Sequence, residues 1–205
     1  MSRRNLLSLV AAGTALGGLG LTVTSPARAQ AAVPDMTLGD PNAPVTVVEY
    51  ASFTCPHCAD FHSDTFKAFK ADYIDTGKVH FIYREVYFDR YGLWASMVAR
   101  CAGPDRFFGV SELLYQSQGE WARQGDPAAV AESLKRVGLQ AGLEQAEVDA
   151  CFQDAAQAEG LYAWYQMNAE RDGVRSTPSF LINGEMHSGN MSLSQIGRLV
   201  DDAAS

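Results

Sequence analysis

Cys55-Pro56-His57-Cys58 places two thiols three residues apart, and no other stretch of the chain is as well suited to chemistry. A thiolate, not a thiol, attacks sulfur, and a free cysteine with a pKa of about 8.5 is mostly protonated at neutral pH. The elements around the pair must therefore stabilise an anion. Val45-Thr46-Val47-Val48-Glu49-Tyr50-Ala51 is rich in β-branched and aromatic residues and predicts a buried strand. After Cys58, the residues Phe66, Phe69 and Tyr73 recur at three- and four-residue spacing, with no glycine until Gly77, which predicts a helix. Cys55 then caps that helix, where unpaired N–H groups and the positive end of the dipole face its sulfur and lower its pKa. Pro56 suits the first helical turn, where its missing N–H is not needed, and His57 adds a donor or a charge. Cys58 lies one turn further on the same side, within disulfide reach, so the pair can cycle between dithiol and disulfide.

The same spacing also fits half of a zinc site or an inert structural disulfide. A structural zinc site wants a second ligand pair at matching spacing, whereas Cys101 and Cys151 stand alone and far apart; His62 and His80 are the remaining ligand candidates. The strand-to-helix setting favours the redox pair. Glu49 shares a strand face with Val45 and Val47 and is expected to point inward near the cysteines. A buried carboxyl there can exchange a proton with Cys58; the alternative is a satisfied polar group of the strand. His62, His80 and His187, each standing singly, are expected to be structural or exposed.

The chain begins like an export signal. Arg3 and Arg4 form a basic start, Leu6 to Val23 carries no charge, and Ala27-Arg28-Ala29 offers a small-residue cleavage pattern, with the cut expected after Ala29. Four glycines in the uncharged run make a weak membrane span, with an uncleaved anchor as the alternative. Ser2-Arg3-Arg4-Asn5-Leu6-Leu7 fits a twin-arginine signal as well as an ordinary secretory one. Either route leads out of a bacterial cytoplasm, to the periplasm. Residues 30–205 are enough for one domain with a real core. The net charge of −8 falls to −11 once residues 1–29 are set aside, which argues against nucleic acid or an anionic membrane as a partner.

Beyond the cysteines, Met36-Thr37-Leu38 predicts a short edge element and Val79-His80-Phe81-Ile82-Tyr83 a second strand, so strand, helix and strand form a parallel crossover unit. From about Tyr91 to Gly173 helical spacing takes over, punctuated by Gly103-Pro104, Gly125-Asp126-Pro127 and Gly138 to Gly142, with one long last helix expected over 145–171. Its Leu161, Trp164 and Tyr165 predict core. Asn183-Gly184 between Ser179-Phe180-Leu181-Ile182 and Glu185-Met186-His187 is a strong hairpin signal, because both turn positions need positive φ. A final helix starts at Ser192, with Gln195 completing a capping box. The order specifies an α/β chain: a thioredoxin-like fold over 30–90 and 173–205, interrupted by a helical insertion over 91–172.

On these residues the chain resembles the DsbA family of bacterial periplasmic thiol oxidases. The resemblance covers essentially all of the chain after residue 29. It rests on Glu49 six residues before Cys55, on Pro56-His57 between the cysteines, where thioredoxin or isomerases would carry a glycine, on the helical block, and on Thr177-Pro178 before the hairpin. Threonine at 177 departs from the valine often found there, a change that bears on the substrate groove. The resemblance implies a protein-disulfide oxidoreductase with Cys55, Cys58, Pro56, His57 and Glu49 in its catalytic centre. It further implies a cis Thr177–Pro178 bond beside Cys55, where those two residues meet an extended substrate, and a structural disulfide between Cys101 and Cys151, as leftover thiols in an oxidising compartment usually pair. Its implied partners are unfolded secreted polypeptides and a DsbB-like, quinone-linked membrane protein for reoxidation, with the protein itself a monomer needing no metal or organic cofactor. The rivals are an isomerase or reductase, of which the isomerase would bring a dimerisation domain with no spare segment to supply it, and a peptide-binding chaperone module whose disulfide is inert.

Overall fold

The computed structural model describes residues 33–205. The expected export signal of residues 1–29 and its cleavage after Ala29 lie outside the described residues. Five strands form one mixed sheet in the order β1-β3-β2-β4-β5: β1 (Met36–Leu38), β2 (Val45–Ala51), β3 (Val79–Glu85), β4 (Ser179–Ile182) and β5 (Glu185–Ser188). β2 runs parallel to β3, setting Glu49 opposite Tyr83, and antiparallel to β4, setting it opposite Phe180. Of the seven residues of β2 only Thr46 is not buried, which is why the segment reads as an almost unbroken apolar run: it is covered on both faces.

Between β2 and β3 a continuous helical run spans 56–74. It consists of α1 (Pro56–Phe61), a π-helical stretch (His62–Phe66), the short α2 (Lys67–Phe69) and a second π-helical stretch (Lys70–Ile74). Its apolar residues Phe61, Phe69 and Ile74 are buried in the main core with Val45, Val47, Phe81 and Phe180 of the sheet.

The helices between β3 and β4 are α3 (Arg90–Cys101), α4 (Pro104–Gln116), α5 (Gln118–Trp121), α6 (Pro127–Gln140), α7 (Gln145–Gln153) and α8 (Ala155–Arg171). The thioredoxin-like fold with an inserted helical block is thus present. One expectation about the block fails. The segment 145–171 is two helices, because the Asp154 carboxylate accepts the Gln157 N–H at 2.8 Å and starts α8 where a longer helix would have continued. The break expected at Gly138 to Gly142 falls at the far end of that stretch: α6 ends at Gln140 and Gly142 has φ 84°, while Gly138 stays helical and its missing side chain lets Val148 approach so closely that a Cβ would lie 2.9 Å from Val148 Cγ2. In α8, Leu161 is buried, while Trp164 and Tyr165 are half-buried against Arg100 and Tyr87.

The hairpin turn has Asn183 at φ 44° and Gly184 at φ 91°, and α9 (Leu193–Ala203) opens with the Ser192–Gln195 capping box. No helix among the described residues is long and apolar enough to cross a membrane.

The block is fastened to the sheet by charge as well as by apolar packing. Arg100 in α3 donates Nε to Glu85 Oε1 at 2.6 Å and an Nη to Oε2 at 2.7 Å, with both side chains buried. Removing the guanidinium leaves an unpaired carboxylate in the interior. Arg100→Leu should therefore lower the unfolding free energy by about 3–5 kcal/mol in a denaturant titration. The double replacement with Glu85→Gln should lose less than the single one.

Candidate active site

The parallel β2 delivers the chain to Ser52-Phe53-Thr54, and the helical run starts directly after it, so Cys55 sits at the N-cap of α1 with Pro56 in the first turn. Both thiols are free, Cys55 half-buried and Cys58 buried. The Cys55 carbonyl accepts the N–H groups of Cys58 and Ala59 at 3.2 Å each, which closes the first turn and turns both sulfurs to the same side. Cys55 Sγ lies 3.4 Å from the Thr177 carbonyl, and the Thr177–Pro178 peptide is cis. The Thr177 hydroxyl is buried with no hydrogen-bond partner, leaving a donor beside the sulfur for an anion to recruit.

The two thiols are driven in opposite directions. The Cys55 thiol is held down to about 5, first by the Cys58 thiol, which donates to it. Burial opposes that effect, and the Thr177 side chain and the backbone N–H groups of Cys58 and His57 add to it. The backbone groups expected at the helix end do contribute, and the S–H of Cys58 adds a larger effect that the sequence analysis did not include. The Cys58 thiol is pushed far above the ordinary range by burial, by its own donation to Cys55 and by the charge of Glu49. One sulfur is thus a half-buried, stabilised anion, and the other a buried thiol that resists ionising.

Glu49 is fully buried on β2 and meets a residue with no functional role in the sequence analysis. His62 Nε2 lies 3.1 Å from both Glu49 carboxylate oxygens, with the side chains 6% and 0% exposed. The relevant signal was local, since His62 follows Cys58 by four residues and so shares its helix face. His57, in contrast, is exposed and pairs with Asp60 at 3.5 Å, and its backbone N–H helps to hold the Cys55 thiol down. His80 lies on β3 opposite Thr46, and His187 on β5 opposite Phe180.

The helical block supplies two further residues that sequence reasoning missed. Gln118 of α5 is buried and donates its amide to the carbonyls of Phe53 at 2.8 Å and Cys55 at 2.9 Å. Asp89, the N-cap of α3, accepts the Thr54 hydroxyl at 2.8 Å. Both fix the backbone just before the helix, and neither carries a sequence signature, since the contacts span 35 to 65 residues. Cys101, the last residue of α3, is joined to Cys151 in α7 by a disulfide with a Cα–Cα distance of 6.2 Å, remote in sequence from the reactive pair. Among the described residues no group of three or more His, Cys, Asp or Glu is placed to hold a metal ion.

A family model described as Thioredoxin matches residues 31–202. A Rickettsia typhi protein described as a candidate protein-disulfide oxidoreductase is 36% identical over 170 residues, 82% of this chain and 62% of that protein. Disulfide bond formation protein D of Bacillus subtilis is 35% identical over 108 residues, 49% of each chain. The crystal structure of Wolbachia pipientis alpha-DsbA1 is similar with a TM-score of 0.76 at 28% identity, covering 84% of this chain and 92% of that one. The chain spans 62% of the length of the Rickettsia typhi relative.

If the Cys58 S–H is the main support of the Cys55 anion, Cys58→Ala should raise the Cys55 ionisation midpoint from about 5 towards the ordinary thiol range, followed by the ultraviolet absorbance of the thiolate. The same depression makes the stability of the dithiol form depend on pH. A folded-state pKa below the unfolded one stabilises above the unfolded value, and that contribution is lost as pH falls through about 5. Denaturation midpoints of the dithiol form, compared with those of the disulfide form, should therefore fall between pH 9 and 5.

Proposed function

The chain belongs to the thioredoxin family, among its DsbA-type thiol:disulfide oxidoreductases, and from that membership we propose that it is an exported thiol oxidase. It donates the Cys55–Cys58 disulfide to reduced secreted polypeptides through a mixed disulfide. The observation that carries this reading is the opposed ionisation of the two thiols, Cys55 held down to about 5 and Cys58 pushed up. A stabilised Cys55 anion favours the dithiol form, which makes the disulfide a strong oxidant.

A substrate thiolate attacks Cys55 Sγ, forming a bond to it while the Cys55–Cys58 bond breaks and Cys58 leaves with the electron pair. The buried Cys58 anion takes a proton from Glu49. A second substrate thiolate then attacks the substrate sulfur of the mixed disulfide and expels Cys55 as a stabilised anion. The substrate has lost two electrons and the pair has gained them. Thr177 and Pro178 serve substrate binding: the Thr177 carbonyl beside Cys55 offers an acceptor against which an extended peptide lies as an added strand. Pro56 and His57 shape the turn that presents Cys55. The disulfide between Cys101 and Cys151 braces the helices behind the site, closing a loop with a sequence separation of 50. Reoxidation falls to a DsbB-like membrane partner, the site of action is the periplasm after cleavage behind Ala29, and the protein works as a monomer.

Oxidised protein mixed with an unfolded, reduced substrate protein should speed disulfide formation, and Cys55→Ser should bring the rate down to the uncatalysed background. Glu49→Gln should slow turnover while leaving the Cys55 midpoint largely in place. Undiminished oxidation by Cys55→Ser would overturn the proposal. A wild type that fails to oxidise yet suppresses substrate aggregation would shift it to a peptide-binding module.

A further inference from the structure

Resting on the thiol oxidase reading, we propose that His62 is a positioning residue through which protons travel between solvent and the Glu49–Cys58 pair, with the cleft between the active-site helix and α4 as their route. Four observations meet at its ring. Nε2 is 3.1 Å from both oxygens of a carboxyl that is fully buried. The ring stacks on Tyr115 of α4 with centroids 4.3 Å apart, which fixes its plane. Cys58 lies one helical turn before it on the same run. The same histidine also lines a cleft of about 740 Å³ bordered by Phe66, Lys67, Lys70, Phe108, Glu112 and Tyr115.

The chemistry follows from what the interior tolerates. A buried carboxylate without a partner is expensive, so Glu49 and His62 hold a mobile proton between them, on the carboxyl or on the imidazole. When Glu49 passes a proton to the departing Cys58 anion, Nε2–H of His62 restores it, and Nδ1 takes a replacement from water in the cleft. When Cys58 must attack in the reoxidation step, the same protons run outwards. The other titratable groups facing the ring are Tyr83 of β3 and Tyr115, whose hydroxyls bond each other at 2.6 Å. Burial raises both phenols well above their ordinary range, so they stay neutral and do not compete for the proton. Lys67, Lys70, Asp75 and Glu112 stand at the cleft, and Lys70 is tied to Asp75 at 2.6 Å.

The test uses the reduced full protein and dithiobis(nitrobenzoate) as oxidant. Cys55 attacks one reagent sulfur and releases the first thionitrobenzoate; Cys58 then loses its proton, attacks Cys55 Sγ and releases the second. The first release reads Cys55 alone and the second reads proton removal from Cys58. In the wild type the second release should rise with pH, because a proton must leave Cys58 before it can attack. His62→Gln keeps an N–H donor towards Glu49 but cannot pass a proton on. It should slow the second release on the order of 100-fold and flatten its pH dependence, while the first release keeps its rate. A second release in His62→Gln with the wild-type rate and pH profile would overturn the relay alone. A slow first release in the wild type would overturn the oxidase reading and the relay with it. A solvent isotope effect on the wild-type second release needs no variant to fold: the release should be slower in heavy water than in ordinary water, and equal rates in the two solvents would contradict the proposal.

Discussion

The site depends on one asymmetry: a buried S–H at Cys58 directed at a half-buried anion at Cys55. Two cysteines on one helical turn are chemically equivalent until burial separates them. At the N-cap the chain has just left the sheet, so the first sulfur meets solvent, backbone N–H groups and the Thr177 side chain. One turn on, the second sulfur faces the core beneath β2, where a charge is unfavourable and a shared proton is the cheaper state. Depth, together with the donors gathered at the helix start, thus sets the two thiols apart.

Most of the surrounding structure serves to hold that geometry. β2 sits centrally between β3 and β4, so it can carry Glu49 to the underside of the helix while β4 begins beside Cys55. The helical block works from the other side. Gln118 clamps the carbonyls of Phe53 and Cys55, Asp89 holds Thr54, and Tyr115 lies flat against His62. The block is fixed in turn by the buried Arg100–Glu85 pair and by the link between Cys101 and Cys151. Its helices therefore belong to the catalytic environment as much as the sheet does.

What was legible in the sequence is what short-range pattern encodes. The β-branched run of β2, the position of Cys55 at the helix start, the inward parity of Glu49, the Asn183-Gly184 turn and the Ser192 cap each follow from residues within a few positions of one another. The break at Asp154 was hidden because an aspartate fits both a helix surface and an N-cap, and only the bond to Gln157 decides between them. Within Gly138 to Gly142 the break itself was legible but not its place, since a glycine that admits a neighbouring side chain looks the same in sequence as one in the turn. Gln118 and Asp89 were out of reach because their partners lie far along the chain. His62 lay within reach, on the face of Cys58, but a single histidine acquires meaning only once a strand places a carboxyl against it.

The most direct measurement is the redox equilibrium of the Cys55–Cys58 pair in graded mixtures of reduced and oxidised glutathione, followed by thiol trapping. With Cys55 held down to about 5, the dithiol form is favoured, and the pair should stay reduced except in strongly oxidising mixtures. A pair that keeps its disulfide through mildly reducing mixtures would contradict the account, because the stabilised anion would then not be setting the potential.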